Sequence, residues 1–227
     1  MNRTEKDSLG SVSLPEIALY GIHSLRAAEN FPSSTVFPHE WYRAMGVVKG
    51  CVYRTYRKFR DAATTRYGDH KAVRIIEDSL LDAMLKASDE VAAGRHIDSF
   101  IVPAIQGGAG TSINMNINEI IANAALLSLD HKPGYYDIID PIEDCNIYQS
   151  TNDAVPTALT IAAMNLLNDL SAEINTMRQT LEALEKGHRN ELRPGYTQMQ
   201  EAVPSSFGLL FGAYNEALSR DWWRVSK

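Results

Sequence analysis

Residues 106–123 read QGGAGTSINMNINEIIAN, a glycine-rich turn followed by two hydroxyl residues and a segment with helical character. The glycines let the backbone approach a ligand closely, and a helix that begins near Ser112 would point free N–H groups at an anion. Thr111 or Ser112 is predicted either to cap this helix or to donate a hydrogen bond to the ligand. Taken alone, the stretch fits a tight capped turn or an anion site. It contains no lysine, which argues against a phosphate loop.

Three asparagines lie in this predicted helix. Asn114 and Asn118 are four residues apart and share a face, whereas Asn116 points to nearly the opposite side. Asparagine is a mediocre helix former, so these side chains are predicted to serve in hydrogen bonding. Asn116 and Asn118 are expected to bond neighbouring segments, and Asn114, which is nearest to the turn, is expected to reach a ligand.

Apolar residues recur at steps of three and four through most of the chain, which predicts a mainly α protein. The predicted helices span residues 39–60, 71–93, 113–128, 155–186 and 205–227. Residues 1–38 contain several prolines and glycines and are predicted to form an irregular arm. The long fourth helix has the spacing of a bundle helix, and two such helices cannot cover each other's apolar faces. We therefore predict an N-terminal helical domain, residues 1–145, followed by the first long helices of an incomplete antiparallel helix bundle, residues 146–227.

The composition is that of an ordinary soluble globular protein, with 44% hydrophobic and 22% charged residues in 227. A formal net charge of -6 argues against a nucleic-acid partner or an anionic membrane surface, because affinity for phosphates comes largely from Lys and Arg. No apolar run suits a signal peptide or a transmembrane helix, so a cytoplasmic location is expected. The two cysteines, Cys51 and Cys145, are expected to be reduced and buried.

Two further polar clusters stand before predicted helices. Residues 146–158 read NIYQSTNDAVPTA, and residues 195–206 read GYTQMQEAVPSS. Alone, the first fits a set of helix caps or a polar site, and the second fits a solvated turn. Together with residues 106–123 they offer hydroxyls and carboxamides with few formal charges, a set that suits a small dicarboxylate. The six histidines show no metal-ligand spacing with Cys, Asp or Glu, so no metal site is predicted.

The order of these clusters resembles the fumarase/aspartase superfamily. Residues 110–119 match its motif Gly-Thr-x-x-Asn-Met-Asn-x-Asn-Glu, residues 149–153 match Gln-Ser-x-Asn-Asp, and residues 195–204 resemble Gly-Arg-Thr-(His or Gln)-x-Gln-Asp-Ala-x-Pro. Residues 20–32, YGIHSLRAAENFP, are similar to the family's arm segment Tyr-Gly-x-x-Thr-x-Arg-Ala-x-Glu-Asn-Phe. The form GGAGTSINMN and the residue Gln198 resemble aspartate ammonia-lyases rather than fumarases. The resemblance covers nearly the whole chain and corresponds to the N-terminal half of the family's chains.

The resemblance implies elimination of ammonia from L-aspartate to give fumarate, without a cofactor. A base removes a Cβ proton, the adjacent carboxylate becomes a doubly charged aci-carboxylate, and ammonia leaves. By the same resemblance, the residues that contact the substrate carboxylates are Thr111, Ser150, Thr151 and Thr197, and those near its amino group are Asn152 and Gln198. Ser112 and Asn114, at the start of the same helix as Thr111, are also predicted to bind the substrate. The catalytic residues are Thr197 and Gln198. Because a carboxamide cannot shuttle protons near neutral pH, Gln198 is expected to hold the substrate near its amino group.

The chain also departs from the family pattern. Tyr196 stands where the family has Arg, and residues 140–144, DPIED, differ from the usual His/Asn-Pro-Asn-Asp stretch. The family's loop Gly-Ser-Ser-x-Met-Pro-x-Lys-x-Asn-Pro, which supplies the serine base and a lysine, does not occur in the sequence. The chain alone is therefore expected to be inactive.

The family also suggests partners, since each of its active sites draws on three subunits of a tetramer. The resemblance implies a homo-oligomer, or a second chain that supplies the rest of the site, with a small dicarboxylate as the ligand. Two alternatives stay open. One is a fumarase or another lyase for an amino or succinyl dicarboxylate, and the other is a non-catalytic fragment or subunit of a split enzyme.

Overall fold

The computed structural model of the chain describes residues 1–68 and 74–227. In this part of the chain it shows six α-helices and two antiparallel β-hairpins, so the prediction of a mainly α fold is confirmed. The helices are α1 (Ile22–Asn30), α2 (His39–Tyr67), α3 (Asp78–Ala92), α4 (Thr111–Ser128), α5 (Thr151–Gly187) and α6 (Phe207–Val225). The strands are β1 (Asn2–Asp7), β2 (Gly10–Pro15), β3 (Leu192–Thr197) and β4 (Gln200–Ser206).

The chain folds as two compact units, Met1–Ala163 and Met164–Lys227. The N-terminal unit contains the first hairpin, α1 to α4 and the beginning of α5. The C-terminal unit contains the rest of α5, the second hairpin and α6. The expected domain division after residue 145 stays a prediction.

The prediction of an irregular arm is wrong, because residues 2–15 form a hairpin and residues 22–30 form α1. Strand β1 is entirely polar, and β2 alternates only briefly, through Val12 and Leu14, so the usual signal of a strand pair is weak in the sequence. Gly10 takes a φ of 121° in the hairpin turn. Arg26 on α1 binds both carboxylate oxygens of Asp7, at 2.7 and 2.9 Å, and so attaches the hairpin to the helix.

Helices α2 and α3 pack antiparallel and in close contact. At one end of the pair, a Cβ atom on Gly46 would lie 2.3 Å from the Ala92 nitrogen, so only glycine fits there. At the other end, Arg60 Nη2 donates to Asp78 Oδ1 at 2.7 Å. The close approach brings the apolar faces of both helices into the core of the N-terminal unit.

Helix α3 begins later than the predicted range 71–93. Within that range, residues 71–73 lie outside the described part of the chain, and residues 74–77 are not helical. Arg60 Nη1 donates to the Ile76 carbonyl at 2.7 Å, and this bond holds the segment against α2 in a non-helical conformation. The residues just before α3 are thus bonded to α2 by a contact that a local helical pattern does not report.

Helix α4 lies at the centre of the N-terminal unit. Its fully buried apolar side chains are Ile117, Ile120, Ile121, Ala122, Ala125 and Leu126. Five polar side chains are buried with them, namely Asn114, Asn116, Asn118, Glu119 and Asn123. An unpaired polar group in such a place costs about 1–3 kcal/mol, so the segments around α4 must supply partners.

Two of these asparagines bind segments that have no regular structure. Asn116 Oδ1 accepts from the backbone nitrogens of Ile101 and Val102, at 2.9 and 3.3 Å. Asn123 Nδ2 donates to the Leu19 carbonyl at 2.8 Å. The prediction that Asn116 bonds a neighbouring segment is confirmed.

Glu119 binds the chain just before and at the start of α1. Its carboxylate accepts from the backbone nitrogens of Gly21 (2.7 Å), His23 (3.0 Å) and Ser24 (3.2 Å), and also from the Ser24 hydroxyl. Burial raises the pKa of the Glu119 carboxyl, although the hydrogen bonds from Ser24 and Gly21 act in the opposite direction. A Cβ atom on Gly21 would lie 2.7 Å from Glu119 Cδ, so the contact requires glycine. We call this arrangement the Glu119 clamp.

In the C-terminal unit, the end of α5 and α6 run antiparallel, as predicted. Asn215 Nδ2 on α6 lies 3.5 Å from Glu182 Oε1 on α5, and a Cβ atom on Gly212 would contact Glu185. Large apolar side chains of this unit remain exposed, among them Leu166, Leu167, Leu170, Met177, Leu209 and Trp223. The expectation that these two helices leave apolar surface uncovered is confirmed.

The segment between these helices is a β-hairpin, not only the solvated turn that its composition suggested. The turn residues Gln198 and Met199 both take positive φ, 49° and 63°, as a two-residue hairpin turn requires. The sequence Thr-Gln-Met-Gln lacks the Asn-Gly or Asp-Gly signal of such turns, which is why the hairpin was not predicted.

Both cysteines are free thiols. Cys145 is buried as expected, but Cys51 is exposed on α2, so the expectation of burial is wrong for Cys51. Among the described residues, no helix is long and apolar enough to cross a membrane.

The Glu119 clamp predicts a large effect of Glu119→Gln on stability. A carboxamide places an NH₂ group where one carboxylate oxygen now accepts, so at least one buried N–H loses its acceptor. We expect the free energy of unfolding in urea to fall by about 2–3 kcal/mol. Glu29→Gln, at an exposed position on α1, is the matched control and should change the free energy of unfolding by less than about 0.5 kcal/mol. Equal shifts for the two variants would contradict the clamp.

Candidate functional site

The first hydroxyls of the predicted site stand at the start of α4. The N-cap residue is Gly110, with a left-handed φ of 82°, and no side chain caps the helix. Of the two roles predicted for Thr111 or Ser112, that of N-cap is therefore wrong, because the backbone enters the helix through a conformation that favours glycine. Donation to a ligand stays a prediction. Thr111 is exposed and Ser112 is half-buried, and neither hydroxyl makes a hydrogen bond to the described residues. Both hydroxyls and the first N–H groups of α4 are thus available to an anion.

The start of α4 packs against the first turns of α5. A Cβ atom on Gly110 would lie 2.8 Å from Val155 Cγ1, so a side chain there would push the two helix starts apart. The Trp41 indole nitrogen donates to the Val155 carbonyl at 3.3 Å and holds α5 from the other side. Gly110 is therefore needed both for its φ and for its small size.

The second set of predicted residues lies at the start of α5. Ser150 Oγ accepts from the Asn152 nitrogen at 3.2 Å, and the Ser150 carbonyl accepts from the Asp153 nitrogen at 3.0 Å. Ser150 and Asn152 are exposed, and Thr151 is half-buried. Pro156 stands inside the helix and has no N–H, so the Asn152 carbonyl lacks its usual helical donor. Helix α5 begins four residues before its predicted start, which places Thr151 and Asn152 in its first turn.

Behind the two helix starts lies a group of carboxamides, Asn114, Asn118, Asn146 and Gln149, which we call the amide cluster. Asn146 Oδ1 accepts from Asn114 Nδ2 at 2.8 Å and from Asn118 Nδ2 at 3.4 Å. Asn146 Nδ2 donates to the Gln149 carbonyl at 3.1 Å, and Gln149 Nε2 donates to the Cys145 carbonyl at 3.0 Å. Asn118 therefore bonds a neighbouring segment, as predicted. Asn114, predicted to reach a ligand, is 2% exposed and is bonded to Asn146.

A buried cation, which was not predicted as part of the site, donates to the amide cluster. Lys49 on α2 is fully buried, and its Nζ donates to Gln149 Oε1 at 2.7 Å and to Asn146 Oδ1 at 3.4 Å. No carboxylate within residues 1–68 and 74–227 forms an ion pair with it. Burial lowers the pKa of the Lys49 ammonium from 10.5 to about 7. The sequence does contain one indication that Lys49 is buried. It lies four residues after Met45 and four before Tyr53, on the apolar face of the predicted helix.

An open cavity with a volume of about 640 Å³ lies beside the start of α4. Ser112 lines it together with His23, Arg26 and Glu29 of α1. The Arg26 charge is paired with Asp7, so this cavity does not offer a free guanidinium to an anion.

The two remaining predicted residues lie in the C-terminal unit. Thr197 ends β3, and Gln198 follows it in the hairpin turn with a φ of 49°. Both side chains are exposed. The N-terminal unit thus brings together the predicted residues of α4 and α5, whereas Thr197 and Gln198 belong to the other unit. In the described part of the chain, no group of three His, Cys, Asp or Glu side chains is placed to hold a metal ion.

The starts of α4 and α5 lie in contact, and both carry hydroxyl side chains whose donors suit an anion. A family profile described as "Lyase" matches residues 13–227. The chain therefore belongs to this lyase family, the fumarase/aspartase superfamily.

Individual relatives agree with this assignment. The chain is 39% identical to the aspartate ammonia-lyase of Bacillus sp over 99% of its own length and 45% of the relative. It is 36% identical to the class II fumarate hydratase of Halobacterium salinarum over 98% of its own length and 45% of that relative. The structure of a fumarate lyase:delta crystallin from Brucella melitensis matches with a TM-score of 0.87 at 35% identity, covering 99% of this chain and 50% of that chain. The chain spans about half the length of these relatives.

The pKa of Lys49 predicts a pH-dependent difference between the chain and its Lys49→Met variant. The unfolded chain binds the Lys49 proton more tightly than the folded chain does. Burial of the charged Lys49 therefore lowers the free energy of unfolding by its full amount below about pH 7, and this loss disappears above about pH 10. Relative to the variant, the unmodified chain should therefore gain stability as the pH rises, by at most about 1.4 kcal/mol per pH unit.

Urea unfolding at several pH values measures this gain. Lys58→Met, at an exposed position on the same helix, is the control and should show no such slope. A difference between the unmodified chain and Lys49→Met that does not change with pH would refute the lowered pKa.

Proposed function

We propose that this chain provides the carboxylate-binding part of an aspartate ammonia-lyase-like site, which converts L-aspartate to fumarate and ammonia. The observation that carries the proposal is the contact between the starts of α4 and α5, with the hydroxyls of Thr111, Ser150 and Thr151 at those starts. Helix N-termini and hydroxyls are donors that suit a carboxylate. The similarity to the Bacillus aspartate ammonia-lyase supports the same substrate class.

In the proposed reaction a base removes a proton from Cβ, and the electron pair of that C–H bond forms the Cα–Cβ double bond. The C–N bond breaks, and ammonia leaves with its electron pair. Before it leaves, negative charge accumulates on the carboxylate next to Cβ. Fixed donors at the starts of α4 and α5 would stabilise that charge, each by roughly 3 kcal/mol if it acts as an oxyanion-hole donor does.

Thr197 and Gln198 are proposed to complete the site from the second hairpin. Thr197 would donate to the substrate carboxylate, and Gln198 and Asn152 would lie near the amino group, as the family resemblance implies. Gln198 can hold the substrate by hydrogen bonds but cannot act as an acid or a base near neutral pH. Because the family builds its sites from several subunits, we propose that a homo-oligomer or a second chain brings these residues together.

The base itself is proposed to come from a segment outside residues 1–227. The sequence contains no Gly-Ser-Ser-x-Met-Pro-x-Lys segment, which carries the serine base in the family. Residues 1–227 by themselves would then bind a dicarboxylate without turning it over. A fumarase is the second candidate, favoured by the similarity to the Halobacterium fumarate hydratase.

The proposal predicts that the purified chain forms no fumarate from L-aspartate, as followed by ultraviolet absorbance. A mixture with a chain that contains the missing serine and lysine segment should form fumarate. Robust turnover by the purified chain alone would show that the base is not missing. A mixture that assembles but stays inactive with aspartate and with malate would favour the non-catalytic alternative.

In the active mixture, Thr111→Val and Thr151→Val should each reduce kcat/KM for aspartate by about 10²-fold, because each removes one donor to the developing charge. The matched control is Thr160→Val, which removes an exposed hydroxyl on α5 that bonds only the Pro156 carbonyl. If all three variants lose activity equally, the two threonines are not substrate contacts.

Substrate choice separates the two enzyme candidates. With Gln198 near the leaving group, aspartate should be consumed in preference to malate. Gln198→Ala should lower kcat/KM for aspartate without creating activity on malate. Preferential formation of fumarate from malate by the unmodified mixture would favour the fumarase.

A further inference from the structure

The surroundings of Lys49 are unusual for a buried cation. Its nitrogen meets two neutral carboxamide oxygens, Gln149 Oε1 and Asn146 Oδ1, and no described carboxylate pairs with it. Burial of an ammonium without a carboxylate is unfavourable, and an apolar side chain of similar length would fill the same space without that penalty. The arrangement points to a role other than packing.

The two acceptors of Lys49 lead directly to the two helix starts. Gln149 immediately precedes Ser150 at the start of α5. Asn146 also accepts from Asn114, which lies one helical turn beyond Thr111 at the start of α4. The buried Lys49 nitrogen is thus connected through Gln149 to the start of α5, and through Asn146 and Asn114 to the start of α4.

Lys49 also explains the direction of the hydrogen bonds in the amide cluster. Asn114 and Asn118 turn their Nδ2 atoms toward Asn146, and their own Oδ1 atoms are buried without a donor in the described part of the chain. Flipping all three asparagines would offer a donor to those two oxygens. It would also turn Asn146 Nδ2 toward the Lys49 ammonium and Asn146 Oδ1 toward the Gln149 carbonyl. Because an ammonium only donates and a carbonyl only accepts, Lys49 and the Gln149 carbonyl together favour the present orientation.

The other ionisable groups around Lys49 do not change this argument. Tyr53, on the same helix, donates to the Cys145 carbonyl at 2.8 Å, and burial raises the pKa of both the Tyr53 hydroxyl and the Cys145 thiol. Asp144, in the same turn, is paired with Arg74 at 2.7 Å. Helix α4 faces the cluster with carboxamides alone among its described residues. Lys49 is therefore the group of the cluster that changes its charge near neutral pH.

We propose that Lys49 is a positioning residue of the dicarboxylate site, which orients the amide cluster and so holds the start of α5 against the start of α4. Its identity as part of a dicarboxylate site rests on the proposed function, whereas the positioning rests on the hydrogen bonds above. Lys49 donates to Gln149 and Asn146 and to none of the proposed substrate-binding hydroxyls, so it acts on a substrate only through other residues.

Hydrogen exchange of the full 227-residue chain tests the positioning. In Lys49→Met, the backbone amides of Asn114 and Ala154, which close the first turns of α4 and α5, should exchange at least about tenfold faster. The amides of Gly21 and Ser24 in the Glu119 clamp should keep their protection, because the clamp shares no bond with the amide cluster. Lys58→Met is the matched control and should change neither set. Unchanged exchange at both helix starts would overturn the proposal. Equal acceleration of the amides in the Glu119 clamp would also overturn it, because a general loss of stability accelerates both sets.

If Lys49→Met does not fold, a second variant and a pH titration test the positioning role of Lys49. Gln149→Met removes the acceptor at 2.7 Å and should accelerate the same amides as Lys49→Met. In the unmodified chain, the side-chain NH₂ signals of Asn146 and Gln149 in NMR spectra should shift with a midpoint near pH 7 as Lys49 loses its proton. Signals that stay constant through that range, together with unchanged exchange in Gln149→Met, would overturn the proposal.

Succinate, a dicarboxylate that cannot eliminate ammonia, tests the link to ligand binding. The unmodified chain and Lys58→Met should bind succinate equally, and Lys49→Met should bind it at least about tenfold more weakly. Equal succinate affinity in Lys49→Met would overturn a role of Lys49 in the site. If the unmodified chain does not bind succinate, the proposed function fails, and the exchange result still decides whether Lys49 positions the two helix starts.

Discussion

The burial of α4 is the constraint on which the N-terminal unit depends. This helix carries five buried polar side chains among its apolar ones, and each of them has to be bonded within the protein. Glu119 and Asn123 accordingly bind the arm, Asn116 binds residues 101–102, and Asn114 and Asn118 bind the turn before α5. Segments without regular structure are thus located by the side chains of one helix.

The same helix connects the core to the candidate site. Its first turn is at the surface, where Gly110 allows α5 to approach, and its later turns are enclosed by the Glu119 clamp. An α-helix is a stiff rod, so the position of its first turn follows from the packing of the rest. The placement of Thr111 relative to Ser150 and Thr151 is therefore a property of the core as much as of the loops that carry these residues.

The parts of the fold that could be predicted are those in which local pattern and burial agree. The apolar residues of α2, α5 and α6 repeat at helical spacing over many residues. Helix α6 lies within a few residues of its expected bounds, and α2 and α5 extend beyond theirs. Both hairpins were missed because their strands are short and largely exposed, and the turn at Gln198 has no glycine or asparagine. The late start of α3 was also missed; there, Arg60 bonds the carbonyl of Ile76, a contact between residues that are 16 apart in the sequence.

The sequence by itself determined the helical class, the three polar clusters that stand before helices, and the hydroxyls from which a dicarboxylate site was inferred, because these depend on local spacing and residue type. Only the tertiary structure decided that Glu119 binds the start of α1 and that Lys49 lies beneath the start of α5. The physical reason is that a buried polar group acquires its role from the partners that folding brings to it. Those partners stand about 30 to 100 residues away in the sequence, beyond the reach of any local pattern.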